Sequence, residues 1–126
     1  MLLVGPLKLK AQLLCGEELA MGPGKADLLE AIDCEGSISA AGRALGMSYR
    51  RTWLLVDAMN RCWAHPLVET IPGGGTGRGA RLTACGREVL GAYRALEKQL
   101  TEAAAGAPLE TLSGLMLAAP KASQSE

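Results

Sequence analysis

The chain has 126 residues, no net charge and a 48% hydrophobic composition with two Trp, two Tyr and no Phe. That length supports one core rather than two, and an aliphatic core favours helices. Zero net charge argues against a general polyanion binder, but the charge is unevenly spread. Residues 1–35 carry net −3, residues 36–87 hold seven arginines against two acids for net +5, and residues 88–126 carry net −2. A basic middle between acidic ends is an electrostatic footprint for an anionic partner. All seven central cations are arginine, the side chain suited to bidentate contact with phosphate or guanine.

MLLVGPLKLK lacks the basic start and sustained apolar run of a signal peptide, and no later segment approaches about 18 apolar residues, so a cytoplasmic protein without a membrane partner is expected. Leu7 to Leu14, LKLKAQLL, reads as an edge strand with Lys8 and Lys10 turned to solvent. Two lysines and no aromatic anchor speak against a membrane-surface segment there. Gly16 and Gly22-Pro23-Gly24 break the chain, and Pro23 suits the first turn of a helix. Ala26, Leu28, Leu29 and Ile32 form that helix's core face, which ends near Glu35-Gly36.

Gly36 to Asn60 organises the rest. Ser37 or Ser39 can cap a helix whose apolar stripe is Ile38, Ala41 and Leu45, with Arg43 pointing elsewhere. Gly46 supplies a left-handed turn, Met47 plugs the junction and Ser48 caps a second helix. Thr52, Val56, Met59 and Trp63 recur at steps of four, three and four, so Tyr49, Arg50 and Arg51 project from the exposed first turn. Arginines at the positive end of a helix dipole are locally unfavourable, which points to an anionic partner. The first turn of a recognition helix is what meets base edges in a major groove.

His65-Pro66 stops the helix. Leu67–Ile71 and Ala80–Thr83 have strand composition, and the glycine-rich Pro72–Gly79 between them makes a hairpin, with Arg78 near its tip and Arg81 close by. The glycines lack the GK[ST] of a P-loop. Gly75, Gly77 and Ala80 fit G-x-G-x-x-A, but the chain has no room for the strands a dinucleotide fold needs. Ala84 to Ala104 reads as one long helix whose seam is Val89, Tyr93, Leu96 and Leu100. Packing within the chain explains that seam as well as dimerisation does, although a short reading helix gains by pairing two half-sites. Residues 105–126 hold Gly106, Pro108, Gly114 and Pro120 and read as a disordered tail. Cys15, Cys34, Cys62 and Cys85 lie 19, 28 and 23 residues apart with no CxxC and one histidine, His65. That is a poor zinc pattern, and reduced thiols packed as small hydrophobes are expected.

GSISAAG, GMSYRRTW, LVDAMN, HPLVET, the glycine-rich hairpin and LTACG, in this order, resemble the N-terminal domain of the ModE family, bacterial regulators of molybdate uptake and molybdoenzyme genes. The resemblance covers about residues 5–104. The GSIS and LTACG elements also resemble LysR-type regulators, which lack SYRRTW and GGGTGRG. It implies a mainly α fold with a small β component: a winged helix-turn-helix with an N-terminal strand, a hairpin wing and a long C-terminal dimerisation helix over 1–104. It implies double-stranded DNA as partner and a homodimer through Leu7, Leu9, Val89, Tyr93, Leu96 and Leu100. Ser48, Tyr49, Arg50 and Arg51 fall at the start of the recognition helix, Gly77 and Arg78 on the wing, with Ser37, Ser39, Arg43 and Arg81 as further DNA contacts. Full-length members continue into oxyanion-binding β-barrels; the residues after Leu100 cannot build one, so direct molybdate sensing is not expected, and either a separate sensor protein or constitutive action is open. No cofactor, metal or catalytic residue is expected, and the alternative to a DNA-binding regulator is a winged-helix protein-interaction module.

Overall fold

The structure, a computed structural model, describes residues 1–72 and 79–123. The fold is mainly helical, with small antiparallel hairpins. β1 (Leu2–Val4) pairs with β2 (Leu7–Leu9) through a turn at Gly5, whose φ of 58° is cheap only for glycine. Alternation along these strands half-buries Leu2, Val4, Leu7 and Leu9 and exposes Leu3 and Lys8. β3 (Leu13–Cys15) pairs with β4 (Glu18–Met21), turning at Gly16 with φ 62°. The single edge strand expected over Leu7–Leu14 is therefore two strands of two different hairpins. It breaks at Lys10–Gln12, where the Ala11 carbonyl accepts a hydrogen bond from the Tyr93 hydroxyl at 2.8 Å.

α1 (Pro23–Glu35) begins with Pro at N1 and ends on Gly36, φ 75°, whose amide donates to Ile32 O at 2.9 Å. Ala26, Leu28, Leu29 and Ile32 are completely buried, as the sequence leads one to expect. With Met21, Ile38, Ala41, Val56, Met59, Leu67, Val68, Ala80, Leu82 and Tyr93 they form the core. α2 (Ile38–Ala44) is capped by Ser37, whose Oγ accepts from Ala40 N at 3.0 Å. Ile38 and Ala41 are buried, but Leu45 is 41% exposed: it lies past the helix end, where the chain turns at Gly46, φ 70°. Ser48 caps α3 (Tyr49–Cys62), accepting from Arg51 N at 3.1 Å. Thr52, Val56 and Met59 are buried in that helix, and Trp63 just beyond it donates from Nε1 to Ala20 O at 3.3 Å.

β5 (Val68–Ile71) and β6 (Gly79–Leu82) pair from Val68↔Leu82 to Ile71↔Gly79. Ala80 N donates to Gly36 O at 2.8 Å, fixing this hairpin to the α1–α2 junction. α4 (Ala84–Ala104) has the bounds read from the sequence and is capped by Thr83, whose Oγ1 accepts from Gly86 N at 2.9 Å. Arg94 joins α4 to α1, pairing with Asp27 (2.8 Å), Glu30 (2.7 Å) and the buried Glu97 (2.7 Å). α5 (Ala107–Leu115) occupies part of the tail expected to lack structure, although none of its residues is buried. Pro108 sits in its first turn, the one helical position that tolerates proline well. All four cysteines are free thiols, but Cys15 and Cys34 are exposed, which corrects the expectation that all four pack as small hydrophobes. Cys15 flanks a hairpin turn, and Cys34 lies in the outward last turn of α1.

Candidate nucleic-acid interface

The first turn of α3 faces solvent because its other side is locked. Thr52 is fully buried, donates from Oγ1 to Ser48 O at 2.8 Å and packs on Gly42 of α2. One residue earlier and three earlier, Arg51 and Tyr49 are exposed, as is Arg50 between them. No acid stands in that turn.

Ion pairing sorts the arginines. Arg61 pairs with Asp57 (2.9 Å), Arg81 with Glu69 (2.6 Å), Arg87 with Asp33 (3.1 Å), and Arg94 with three carboxylates. Among the described residues Arg43, Arg50 and Arg51 have no such partner. Arginine without a carboxylate partner, among the described residues, therefore collects at the end of α2 and the start of α3. Arg81, expected as a DNA contact, is engaged in a cross-strand pair, its position facing Glu69 in the β5–β6 register. The pair is exposed and holds Arg81 weakly. Gly77 and Arg78 lie outside the described residues.

A groove of about 260 Å³ joins α2, α3 and the β5–β6 hairpin, lined by Ile38, Ser39, Tyr49, Trp53, Thr70, Gly79 and Ala80. Ser39 thus borders it, whereas the Ser37 and Ser48 hydroxyls serve as helix caps, each with its proton left to donate. Arg50 and Arg51, adjacent in sequence, line different hollows. Arg50 stands with Tyr49, Trp53, Leu54 and Asp57, while Arg51 lies on the other flank with Lys10, Leu45, Met47 and Leu55. Sequence reasoning missed Trp53 and Leu54. The signal was their spacing, three and four residues beyond Arg50 and on the face away from Thr52 and Met59.

The residues expected at a dimer interface divide. Leu7, Leu9, Val89 and Leu96 are half-buried and Leu100 is 37% exposed, so these keep apolar surface free. Tyr93 does not: it is 2% exposed, and its hydroxyl is turned inward to Ala11 O. Burial, with Glu97 beside it, pushes its phenol above the ordinary range, against the pull of Arg94. Among the described residues no helix is long and apolar enough to cross a membrane.

Known proteins that match this chain include molybdenum-related regulators and molybdenum-pterin-binding proteins, over the N-terminal part of their length. The resemblance to the N-terminal part of ModE is borne out. The chain is 42% identical over 78 residues to the molybdenum transport protein ModE of Azotobacter vinelandii, covering 62% of this chain and 29% of that protein. It is 37% identical over 77 residues to the DNA-binding transcriptional dual regulator ModE of Escherichia coli K12, covering 61% and 29%. It is 41% identical over 104 residues to the molybdenum-pterin-binding protein MopB of Rhodobacter capsulatus, covering 77% and 38%. The chain thus spans well under half the length of these curated relatives. No family model matches it.

Proposed function

We propose that the chain is a sequence-specific DNA-binding transcriptional regulator of the ModE type, cytoplasmic, non-enzymatic and tied to molybdenum-related gene control. In this reading α2 and α3 are a helix-turn-helix and β5–β6 its wing. α3 lies in the major groove with Arg50 and Arg51 toward base edges, and Ser37, Ser39 and Arg43 sit near phosphates. Arg78 and Gly77 belong to the wing by sequence, and Arg81 joins them by exchanging Glu69 for phosphate. The observation that carries the reading is that, among the described residues, three arginines have no carboxylate partner, two of them in a helix first turn where the dipole already disfavours cations. The name of the Escherichia coli relative, a DNA-binding transcriptional regulator, supports this reading, whereas that of MopB, a molybdenum-pterin-binding protein, supports only the link to molybdenum. Apolar surface left on Leu7, Leu9, Val89, Leu96 and Leu100 supports a homodimer, which would read two half-sites about one helical turn apart.

The test is selection of bound fragments from genomic DNA by the purified chain at about physiological salt, with and without molybdate. A two-fold symmetric site with half-sites one turn apart is the expected result. Weak, sequence-blind binding would overturn the regulator reading in favour of a protein-interaction module. A molybdate-dependent selection would overturn the expectation that this chain does not sense molybdate itself.

A further inference from the structure

Three large apolar side chains stand together on the solvent face of α3: Tyr49 is 67% exposed, Trp53 37% and Leu54 57%. Tyr49 and Trp53 meet edge to face, with ring centroids 6.1 Å apart and planes at 60°. With Arg50 and Asp57 they line an open hollow of about 550 Å³. The opposite side of α3 is already complete, with Thr52, Val56, Ala58 and Met59 buried, so the fold does not need these three residues for its core. Exposed apolar area of this kind is a cost to the free protein that contact with a partner removes.

The surroundings identify the partner's chemistry. Arg50 is in the same hollow, and the one acid lining it, Asp57, stands beside Arg61 at 2.9 Å in an exposed pair that adds a second cation to this face. The face is thus apolar with a net cationic balance, Arg50 and Arg61 against Asp57. In a major groove the apolar feature on a base-pair edge is the C5 methyl of thymine; unmodified G·C pairs offer only donors and acceptors there. Resting on the DNA reading above, we propose that Tyr49, Trp53 and Leu54 form a reader of pyrimidine C5 methyl groups. The preferred site then carries thymine methyls beside the base that Arg50 contacts. Arg50 and Leu54 are four residues apart, about 6 Å along the helix axis, so the methyls lie within about two base pairs of that base.

The probe is the fragment enriched in the selection described above, synthesised with uracil replacing each thymine singly, and separately with 5-methylcytosine replacing each cytosine. Affinities are measured for the wild-type chain, Trp53→Ala and Leu54→Ala at fixed salt. Each methyl that is read should be worth about fourfold in affinity to the wild-type chain. At that position Trp53→Ala or Leu54→Ala should bind thymine and uracil equally. Leu54 is the more exposed residue, so its variant holds the test if Trp53→Ala misfolds. A gain on 5-methylcytosine with no loss on uracil would support the methyl reader and assign the methyl to modified cytosine. Equal affinity for every duplex, with salt-sensitive specific binding intact, would overturn the methyl reader alone. Absence of any enriched fragment would overturn the DNA reading and this inference with it.

Discussion

Thr52 fills the space that a side chain on Gly42 would need: a β-carbon added there would overlap Thr52 Oγ1 and lie 3.0 Å from both Thr52 Cβ and Cγ2. The two helices of the candidate reading unit cross at this point, and Thr52 is fully buried with its hydroxyl donating to Ser48 O at 2.8 Å. Gly42→Ala must push α2 off α3 and should destabilise the fold by about 1 to 3 kcal/mol, the usual cost of overpacking. Adding Thr52→Ala should recover part of that loss, because it removes the overlapping Oγ1 and the close Cγ2 while Cβ stays at 3.0 Å. Urea unfolding of the two single variants and the double variant measures the coupling; strictly additive losses would contradict the contact.

Asn60 ties the end of α3 to the start of β5. Its Oδ1 accepts from Leu67 N at 2.9 Å and Val68 N at 3.1 Å, while its Nδ2 donates to Val68 O at 3.1 Å. Leu67 and Val68 are buried, so Asn60→Ala leaves their amides without a ready replacement and should cost about 2 to 3 kcal/mol. Asn60→Asp is the sharper test: it keeps both accepting contacts but sets a carboxylate oxygen against Val68 O. Faster amide exchange at Leu67 and Val68 in Asn60→Ala, with α1 unchanged, would localise the effect.

Helix boundaries were legible because capping is local chemistry. Ser37 and Ser48 each accept from the amide three residues on, and Gly36 and Gly46 take the left-handed conformation, whereas Thr83, read as a strand end, caps α4 in the same way. The buried face of α1 was legible for the same reason, since helical spacing alone selects it. What depended on distant partners was not. Nothing in LKLKAQLL shows that Ala11 will be taken out of a strand by a hydroxyl 82 residues away. β1 was missed because LLV is too short to show alternation. Arg81 and Arg50 have the same side chain, and only the β5–β6 register reveals that Arg81 faces Glu69. Of the candidate site, the arginines were visible in the sequence. Of the apolar cluster beside them only Tyr49 was read: the spacing of Trp53 and Leu54 from Arg50 marks them, but they sit within a run that also contains core residues.

Tyr93 makes stability depend on alkaline pH. Its phenol lies above the ordinary value of 10.0, first through burial and then through Glu97. A raised value means that the fold favours the protonated form, which also donates to Ala11 O. The contribution is complete below the unfolded value of about 10 and is lost as pH climbs through the folded value. Unfolding free energy should therefore fall as pH is raised above about 10, and Tyr93→Phe should reduce that fall. At neutral pH the same variant should cost about 1 kcal/mol, the worth of one hydrogen bond. Chemical denaturation across alkaline pH checks both, and an unchanged slope in Tyr93→Phe would assign the alkaline loss to other groups.

Arg50 and Arg43 test the division of labour in the proposed interface. Arg50 shares its hollow with Tyr49, Trp53 and Leu54 and is aimed with them, whereas Arg43 is exposed in the last turn of α2. Arg50→Ala should cost about 1 to 3 kcal/mol on the selected fragment and little on random DNA, because a guanine contact is sequence-dependent. Arg43→Ala should weaken both DNAs alike and lower the slope of log affinity against log salt by about one, because a phosphate contact is blind to sequence. Neither side chain is buried or paired, so neither variant should shift the unfolding midpoint appreciably. Binding to both DNAs across a salt series separates the roles, and equal losses for both variants on both DNAs would mean that α3 positions the protein without reading bases.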